Sequence, residues 1–384
     1  MSFSKYFNEY QDIASSLIAI NTISSTSLDD DMPNTDLLDY IENFFKTKGF
    51  FIKRFVVAKG KENLYVTNKK DDGGLLLSGH TDTVGTKASL WHKNPFSLDI
   101  RDDRIYGLGS TDMKGYLALI MLFMSKCEIK DSDRPISALF TCDEETDMKG
   151  AIDYAKNAMY RPDLILIGES TENKAVIAHK GYMAFRLCVK GRACHSSNPN
   201  LGINAIEGAS LAIKTLQSFN KKLNTIKDSR FKVEAPTLNI GVIKGGSASN
   251  IVCDHVIIEF DLRPMPKYPC AMAFYDIQKL VKKLNSSSQC TFDLERLYDD
   301  VDPFVCTEKI IIDDLEKITE SKSLCVNYAT EASHLSKIAP TVVLGPGSID
   351  YAHSIDESIS INDLKKSYAY LCKIYKSICV DKIV

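Results

Sequence analysis

The sequence predicts an α/β protein: a mixed, largely parallel sheet with helices on both faces, plus an inserted ferredoxin-like α+β domain. Three observations carry this. Up to about Ala178, short apolar runs of strand length alternate with helical stretches, the pattern of a sheet covered on both sides. From Tyr182 the texture changes to a single round of β-α-β-β-α-β, the ferredoxin-like order. After Pro303 the chain returns to the α/β pattern. The expected organisation is a main domain built from 1–181 and 298–384, with the insert over 182–297.

Taken in order, an amphipathic helix from Tyr6 to Ile20 opens the chain. A second runs from about Thr35 to Lys48, with Asn34 available as its cap and Gly49 as its stop signal. Strands are expected at Phe51 to Val57, Leu64 to Thr67 and Leu75 to Ser78, then an apolar helix from Tyr116 to Lys126. Apolar runs at Ile136 to Thr141 and Leu164 to Ile167 read as further buried strands. Within the insert, Tyr182 to Lys190 alternates like a half-exposed strand, and Asn204 to Leu223 is a long helix. Strands at Thr237 to Val242 and Val256 to Leu262, a helix near Met272 to Leu284 and a strand near Cys290 to Leu297 complete it. A strand at Thr341 to Leu344 and a helix from Ile361 to Val380 close the chain.

At 384 residues the chain is long enough for two domains and a large core. Its 44% apolar and 25% charged residues are those of an ordinary globular protein. A net charge of −3 with no basic block argues against a nucleic-acid partner. The segment Met1-Ser2-Phe3-Ser4-Lys5-Tyr6 lacks the apolar core of a signal peptide, and no apolar run approaches a membrane span, so a cytoplasmic protein without a membrane partner is expected. The 11 cysteines are odd in number and contain no C-x-x-C pair, which suits free thiols in a reducing compartment.

The chemistry-bearing residues gather at strand ends. Leu75-Leu76-Leu77-Ser78-Gly79 delivers His80 and Asp82 just past a buried strand, where open α/β sheets bind their ligands. A neutral imidazole there can hold a metal, and a nearby carboxylate can fix its tautomer. Asp112 sits in a glycine-rich turn that opens an apolar helix. Ile136 to Thr141 ends in Cys142-Asp143-Glu144-Glu145, Leu164 to Ile167 in Gly168-Glu169, and the strand at Thr341 in Gly345-Pro346-Gly347-Ser348 and then His353. Two histidines with three or four carboxylates form the donor set of a two-metal hydrolytic site.

These blocks, in this order, resemble those of the zinc-dependent amidohydrolases and exopeptidases, a family that includes acetylornithine deacetylase, succinyl-diaminopimelate desuccinylase and glutamate carboxypeptidases. The resemblance covers nearly the whole chain. It is nearest to the acetylornithine deacetylase branch through His179-Lys180-Gly181, Cys194-His195-Ser196-Ser197, Gly245-Gly246 with Ser249-Asn250, Thr330-Glu331-Ala332 and Leu344-Gly345-Pro346-Gly347-Ser348-Ile349. It implies a zinc-exopeptidase-like catalytic domain, with the insert as a lid that pairs two subunits into a homodimer. It implies up to two Zn²⁺ per chain, with Co²⁺ possible, and hydrolysis of N²-acetyl-L-ornithine as a step of arginine biosynthesis. Another N-acyl amino acid, succinyl-diaminopimelate or a dipeptide are the alternative substrates. A non-catalytic relative that binds such compounds is the alternative of another class.

By the family's scheme Asp112 bridges two cations, His80 and Glu169 complete one site, and Glu145 and His353 the other. Asp112 also suits a helix cap, and His353 also suits an ordinary loop histidine. Glu144 and Glu145 terminate an apolar strand, and on an extended backbone neighbours point apart, so that one binds metal while Glu144 acts as general base. A solvated acidic turn is the alternative reading. Asp82 is assigned to orient His80. The resemblance gives His195 an oxyanion-stabilising role, reached from the partner subunit, and makes Asn250 and Arg263 candidate contacts to the substrate carboxylate. A polar turn histidine and a surface arginine are the alternatives there. His92, His179 and His255 read as structural or supporting, and Cys142 as a small buried thiol. Gly85 replaces a proline frequent in the family, and Ser333-His334 follow Ala332 where deacetylases of this branch usually carry proline, leaving the pocket's side-chain preference open.

Overall fold

The computed structural model describes residues 3–27, 29–128, 130 and 133–382. The chain opens with α1 (Phe7–Ala19) and α2 (Thr35–Lys46), then β1 (Phe51–Ala58), β2 (Lys61–Thr67), β3 (Leu75–His80), β4 (Asp99–Arg101) and β5 (Arg104–Tyr106). Next come α3 (Lys114–Lys126), β6 (Ile136–Thr141), α4 (Lys149–Asn157), β7 (Leu164–Ile167) and β8 (Val176–His179). The insert follows with β9 (Met183–Lys190), α5 (Ala205–Leu223), β10 (Thr237–Gly245), β11 (His255–Arg263), α6 (Cys270–Ser287), β12 (Thr291–Arg296) and β13 (Phe304–Val305). The remainder is α7 (Lys309–Thr319), β14 (Leu324–Val326), α8 (Ala332–Leu335), β15 (Thr341–Val343), β16 (Ser358–Ser360) and α9 (Ile361–Tyr375). Two compact units result: Met1–Ile177 with Cys306–Leu324 and Thr330–Val384, and Ala178–Val305 with Cys325–Ala329.

In the first unit the strands run in the order β1-β2-β6-β3-β7-β15, followed by β8. The centre is parallel: β3 pairs with β6 and β7, and β15 pairs with β7, all in the same direction. β2 joins β6 antiparallel and β1 extends that edge. Strands β3, β6 and β7 are buried at every position, as expected of parallel strands covered on both faces. Helix α3 is buried from Lys114 to Met124 and packs against α1 and α9. Because the four central strands share one direction, His80, Thr141, Ile167 and Val343 all end at one edge of the sheet. A separate small sheet, β16-β5-β4, ties the segment after His353 to the loop before Asp112 through the Ser358–Tyr106 pair.

Two glycines permit the strand ends to meet. A Cβ on Gly168 would lie 1.9 Å from the Tyr116 ring, and one on Gly345 would lie 2.2 Å from the Gly168 carbonyl oxygen. Any side chain at either place would separate the turn carrying Glu169 from its neighbours.

Several local expectations are corrected. Asn34 makes no side-chain cap to α2. Its amide donates to the Glu62 carbonyl and to Thr81 Oγ1, both at 2.8 Å, and its Oδ1 accepts the Glu62 N–H, so tertiary partners outcompete the local cap. The apolar helix begins at Lys114 rather than Tyr116. The final helix is α-helical only to Tyr375, and Lys376–Val380 form a π-helical turn.

The second unit is a four-stranded antiparallel sheet in the order β10-β11-β9-β12, with α5 and α6 packed on it, the ferredoxin-like arrangement. Its core includes Phe185, Leu187, Val189, Leu216, Ile258, Phe260 and Ile277. Asn204 caps α5 by accepting the Ile206 N–H at 2.9 Å. All 11 cysteines are free. Among the described residues no helix is long and apolar enough to cross a membrane.

Candidate metal centre

The edge formed by the parallel strands gathers the histidines and acids. His80, the last residue of β3, is fully buried, with Nε2 2.9 Å from Asp112 Oδ1 and 3.9 Å from Glu169 Oε1. His353 Nε2 lies 3.3 Å from Asp112 Oδ2 and 2.9 Å from Glu145 Oε1. His80, Asp112 and Glu169 form one triad, and Asp112, Glu145 and His353 a second; within each, one donor atom per residue lies within 4.8 Å of the others. The Asp112 carboxylate is thus shared, one oxygen toward each histidine. Met113, not Asp112, precedes α3 as the cap position, so the aspartate is directed to the cluster rather than to the helix end.

The turn after β6 departs from the extended backbone expected of Glu144 and Glu145. Asp143 adopts a left-handed φ of 58°, and both glutamates lie in a turn. The reason is the Asp82 carboxylate, which accepts the Glu144 N–H at 3.2 Å and the Glu145 N–H at 3.0 Å. Behind the turn, Asp143 pairs with Lys61 at 2.8 Å and accepts Ser24 Oγ at 3.0 Å. His80 Nδ1 stands 3.0 Å from the Asp82 carbonyl oxygen and 3.6 Å from its carboxylate. With Nδ1 protonated against that carbonyl, Nε2 is left as a ligand lone pair facing Asp112.

Burial raises the Glu144 carboxyl well above the usual range, reinforced by the charges of Glu169, Glu145 and Glu331 and opposed by His80. Glu169 is pushed up to about 8 by burial and by Asp112. Burial also works against Asp112, yet the hydrogen bonds and charges of His353 and His80 hold it far below the usual carboxylate range. The hydrogen bonds that Asp112 and Glu145 accept from His353 push the imidazole up to about 10.

Three buried ionisable side chains at this edge escaped the functional reading of the sequence. Glu331 is fully buried, accepts Thr141 Oγ1 at 3.0 Å, and is pushed up to about 7 chiefly by burial. It stood in the sequence only as part of Thr330-Glu331-Ala332, with no strand end or spacing to mark it as chemical. Glu357 accepts the backbone N–H groups of Gly109, Thr111 and Asp112. Lys114 is buried, donates to the Ile20 carbonyl at 2.6 Å, and is lowered to about 7 by burial.

The other assigned residues lie in the second unit. His195 Nδ1 is 2.7 Å from Ser197 Oγ and accepts the Ser197 N–H. His195 forms an isolated bridge with Ile251, and the Asn250 carbonyl accepts the Ser196 N–H, so His195 and Asn250 are neighbours. Arg263 is not joined to them by any described contact: it stacks over the Tyr182 ring at 4.3 Å and lies 3.4 Å from Asp261. His179 is buried with Nδ1 against the Lys180 carbonyl, His92 pairs with Asp356, and His255 is an exposed member of β11. Cys142 is buried, and burial pushes its thiol up, the opposite of a reactive cysteine.

A divalent cation fits the donor set. Glu169 Oε1 is buried without a hydrogen-bond partner. Imidazoles and carboxylates without thiolates suit Zn²⁺, Co²⁺ or Mn²⁺.

Residues 76–377 match the family model described as peptidase family M20/M25/M40. Acetylornithine deacetylase of Buchnera aphidicola subsp. Acyrthosiphon pisum is 36% identical over 375 residues, spanning 96% of this chain and 97% of the relative. The enzyme of the same name from Photorhabdus laumondii is 35% identical over 375 residues, spanning 95% and 96%. A solved tripeptidase structure from Staphylococcus aureus shares the fold with a TM-score of 0.74 at 19% identity, covering 96% of this chain and 97% of that one. The chain belongs to the M20/M25/M40 peptidase family.

Proposed function

We propose that the protein is a metal-dependent amidohydrolase that cleaves N²-acetyl-L-ornithine to L-ornithine and acetate, a step in making arginine. The observation that carries the substrate is the near full-length similarity to relatives named acetylornithine deacetylase. The shared Asp112 carboxylate supports the metal chemistry. In this reading His80, Asp112 and Glu169 hold one cation, and Asp112, Glu145 and His353 a second, Zn²⁺ or Co²⁺. Cations bound there supply electrophilic assistance to the amide carbonyl and to the attacking water. Glu144 takes the proton from that water and delivers it to the leaving amine; its raised proton affinity suits both halves of the exchange. Asp82 orients His80 and holds the glutamate turn. His195 stabilises the oxyanion, acting from the partner subunit of a homodimer built through the second unit. Asn250 and Arg263 receive the substrate carboxylate. Free thiols are in keeping with a cytoplasmic setting.

The test is amine release from a panel of metal-loaded reactions: N²-acetyl-L-ornithine, other N-acyl amino acids, succinyl-diaminopimelate and dipeptides. Highest kcat/KM on acetylornithine is expected. Turnover of succinyl-diaminopimelate or a dipeptide without turnover of acetylornithine overturns the substrate while leaving the mechanism, and no turnover of any of them favours a binding protein.

A further inference from the structure

Glu357 lies in the stretch between His353 and β16, and its side chain turns back to the Asp112 loop. Its Oε1 accepts the N–H groups of Thr111 at 2.8 Å and Asp112 at 2.9 Å, and its Oε2 accepts the Gly109 N–H at 2.9 Å. Its main-chain carbonyl accepts Ser110 Oγ at 3.1 Å and the Gly107 N–H at 3.2 Å. Every one of these bonds reaches the segment that delivers Asp112, and Glu357 is only 2% exposed. The charges of Glu357 and Asp82 act on the buried Lys114 amine, from the first turn of α3, and partly offset the lowering that burial causes.

An isolated buried carboxylate is costly, and one that collects three backbone N–H groups from one short loop is held by that loop and holds it in return. The loop is glycine-rich, with left-handed φ at Gly109, so its own covalent geometry leaves many conformations open. His353 arrives from the same chain segment as Glu357. The three carboxylate bonds therefore tie the Asp112 loop to the segment that carries His353 without using any metal-ligating atom.

We propose that Glu357 is a positioning residue that presets the Asp112 loop against His353, so that the two cation positions sharing Asp112 exist before metal arrives. This rests on the metal centre proposed above. Glu357→Gln keeps one acceptor oxygen but turns an NH₂ group toward a backbone N–H, breaking one arm of the clamp without removing volume. Glu357→Asp keeps the carboxyl group and draws both oxygens back. Ser110→Ala is the control: it removes a bond to the Glu357 main chain and leaves the three carboxylate bonds intact.

The experiment is competition of apo protein with a chromophoric chelator for Zn²⁺ or Co²⁺, alongside near-ultraviolet circular dichroism and thermal melting. We expect Glu357→Gln to remain folded and to bind metal about 10–100-fold more weakly, the size typical of losing an outer partner of a metal ligand. Glu357→Asp should fall between Gln and wild type, and Ser110→Ala should melt earlier with unaltered metal affinity. Activity lost by Glu357→Gln at limiting metal should return as metal is added. Unaltered affinity in folded Glu357→Gln, or equal losses in Glu357→Gln and Ser110→Ala, overturns the positioning role alone. Wild-type protein that binds no divalent cation overturns the metal centre, and the positioning role with it.

Discussion

Asp82 Oδ2 accepts the backbone N–H of Glu145 at 3.0 Å. The carboxylate expected only to orient His80 therefore also shapes the turn that presents two glutamates to the centre. Its other oxygen takes the Glu144 N–H. Burial would raise Asp82, yet the His80 contact and the Glu145 amide bring it below the usual carboxylate range.

Replacing Asp82 with alanine should consequently disturb His80 and the Glu144–Glu145 turn together. Leaving the two amides without their acceptor should cost roughly 1–3 kcal/mol. Metal affinity should fall about 10–100-fold. Chelator competition and thermal melting measure the two effects. A variant that melts and binds metal like the wild type removes Asp82 from both roles.

Glu144→Ala should reduce hydrolysis by about 10²–10⁴-fold while retaining metal: Glu144 also groups with His80 and Glu145, but both triads that share Asp112 stay complete without it. His195→Ala should also be severely impaired, by about 10²–10³-fold if an oxyanion contact is lost. Mixing the two dead chains tests a shared site. Subunit exchange, followed by a labelled chain, should restore one working centre per mixed dimer. Exchange without recovered activity would place His195 within its own chain's chemistry or outside the chemistry altogether.

Metal binding should release protons. In the metal-free protein the hydrogen bonds that Asp112 and Glu145 accept from His353 hold it protonated up to about pH 10, and His80 is raised as well. A histidine with a raised pKa contributes to stability fully below its unfolded value of about 6.5, and this contribution is lost as pH rises through the folded value near 10. A cation must displace that proton, so apparent metal affinity should climb between pH 7 and 9 by up to about tenfold per unit for each proton released. Calorimetry in buffers of different ionisation enthalpy gives the proton count. A flat affinity with no proton release would show that the imidazoles are neutral before metal arrives.

Gly168→Ala should destabilise the first unit. The new Cβ would fall 1.9 Å from the ring of Tyr116, which is 1% exposed and has little room to swing aside. Overpacking of this kind costs about 1–3 kcal/mol or more. Because Gly168 precedes Glu169, weaker metal retention should accompany the lower melting temperature. An unchanged melting curve would mean that the strand end shifts without cost.

The sequence by itself determined the strand ends and what each one carries. Apolar runs such as Leu164–Ile167, closed by glycine and an acid, are one-dimensional patterns that survive any folding detail. Such runs singled out His80, Asp112, Glu145, Glu169 and His353 by their place near strand ends, and the resemblance of the blocks to the family implied them as a ligand set. Tertiary structure decided how buried polar groups are satisfied, because their partners lie far apart in the chain. Nothing near Glu357 in sequence indicates that it will take three N–H groups from the Asp112 loop. Nothing near Asp82 indicates that it will capture the Glu144 and Glu145 amides and bend an expected extended segment into a turn. Asn34 turned from the helix it was expected to cap to Glu62 and Thr81 for the same reason. A buried donor or acceptor takes the partner that the assembled fold brings within reach, and local propensity is too weak to prevent it.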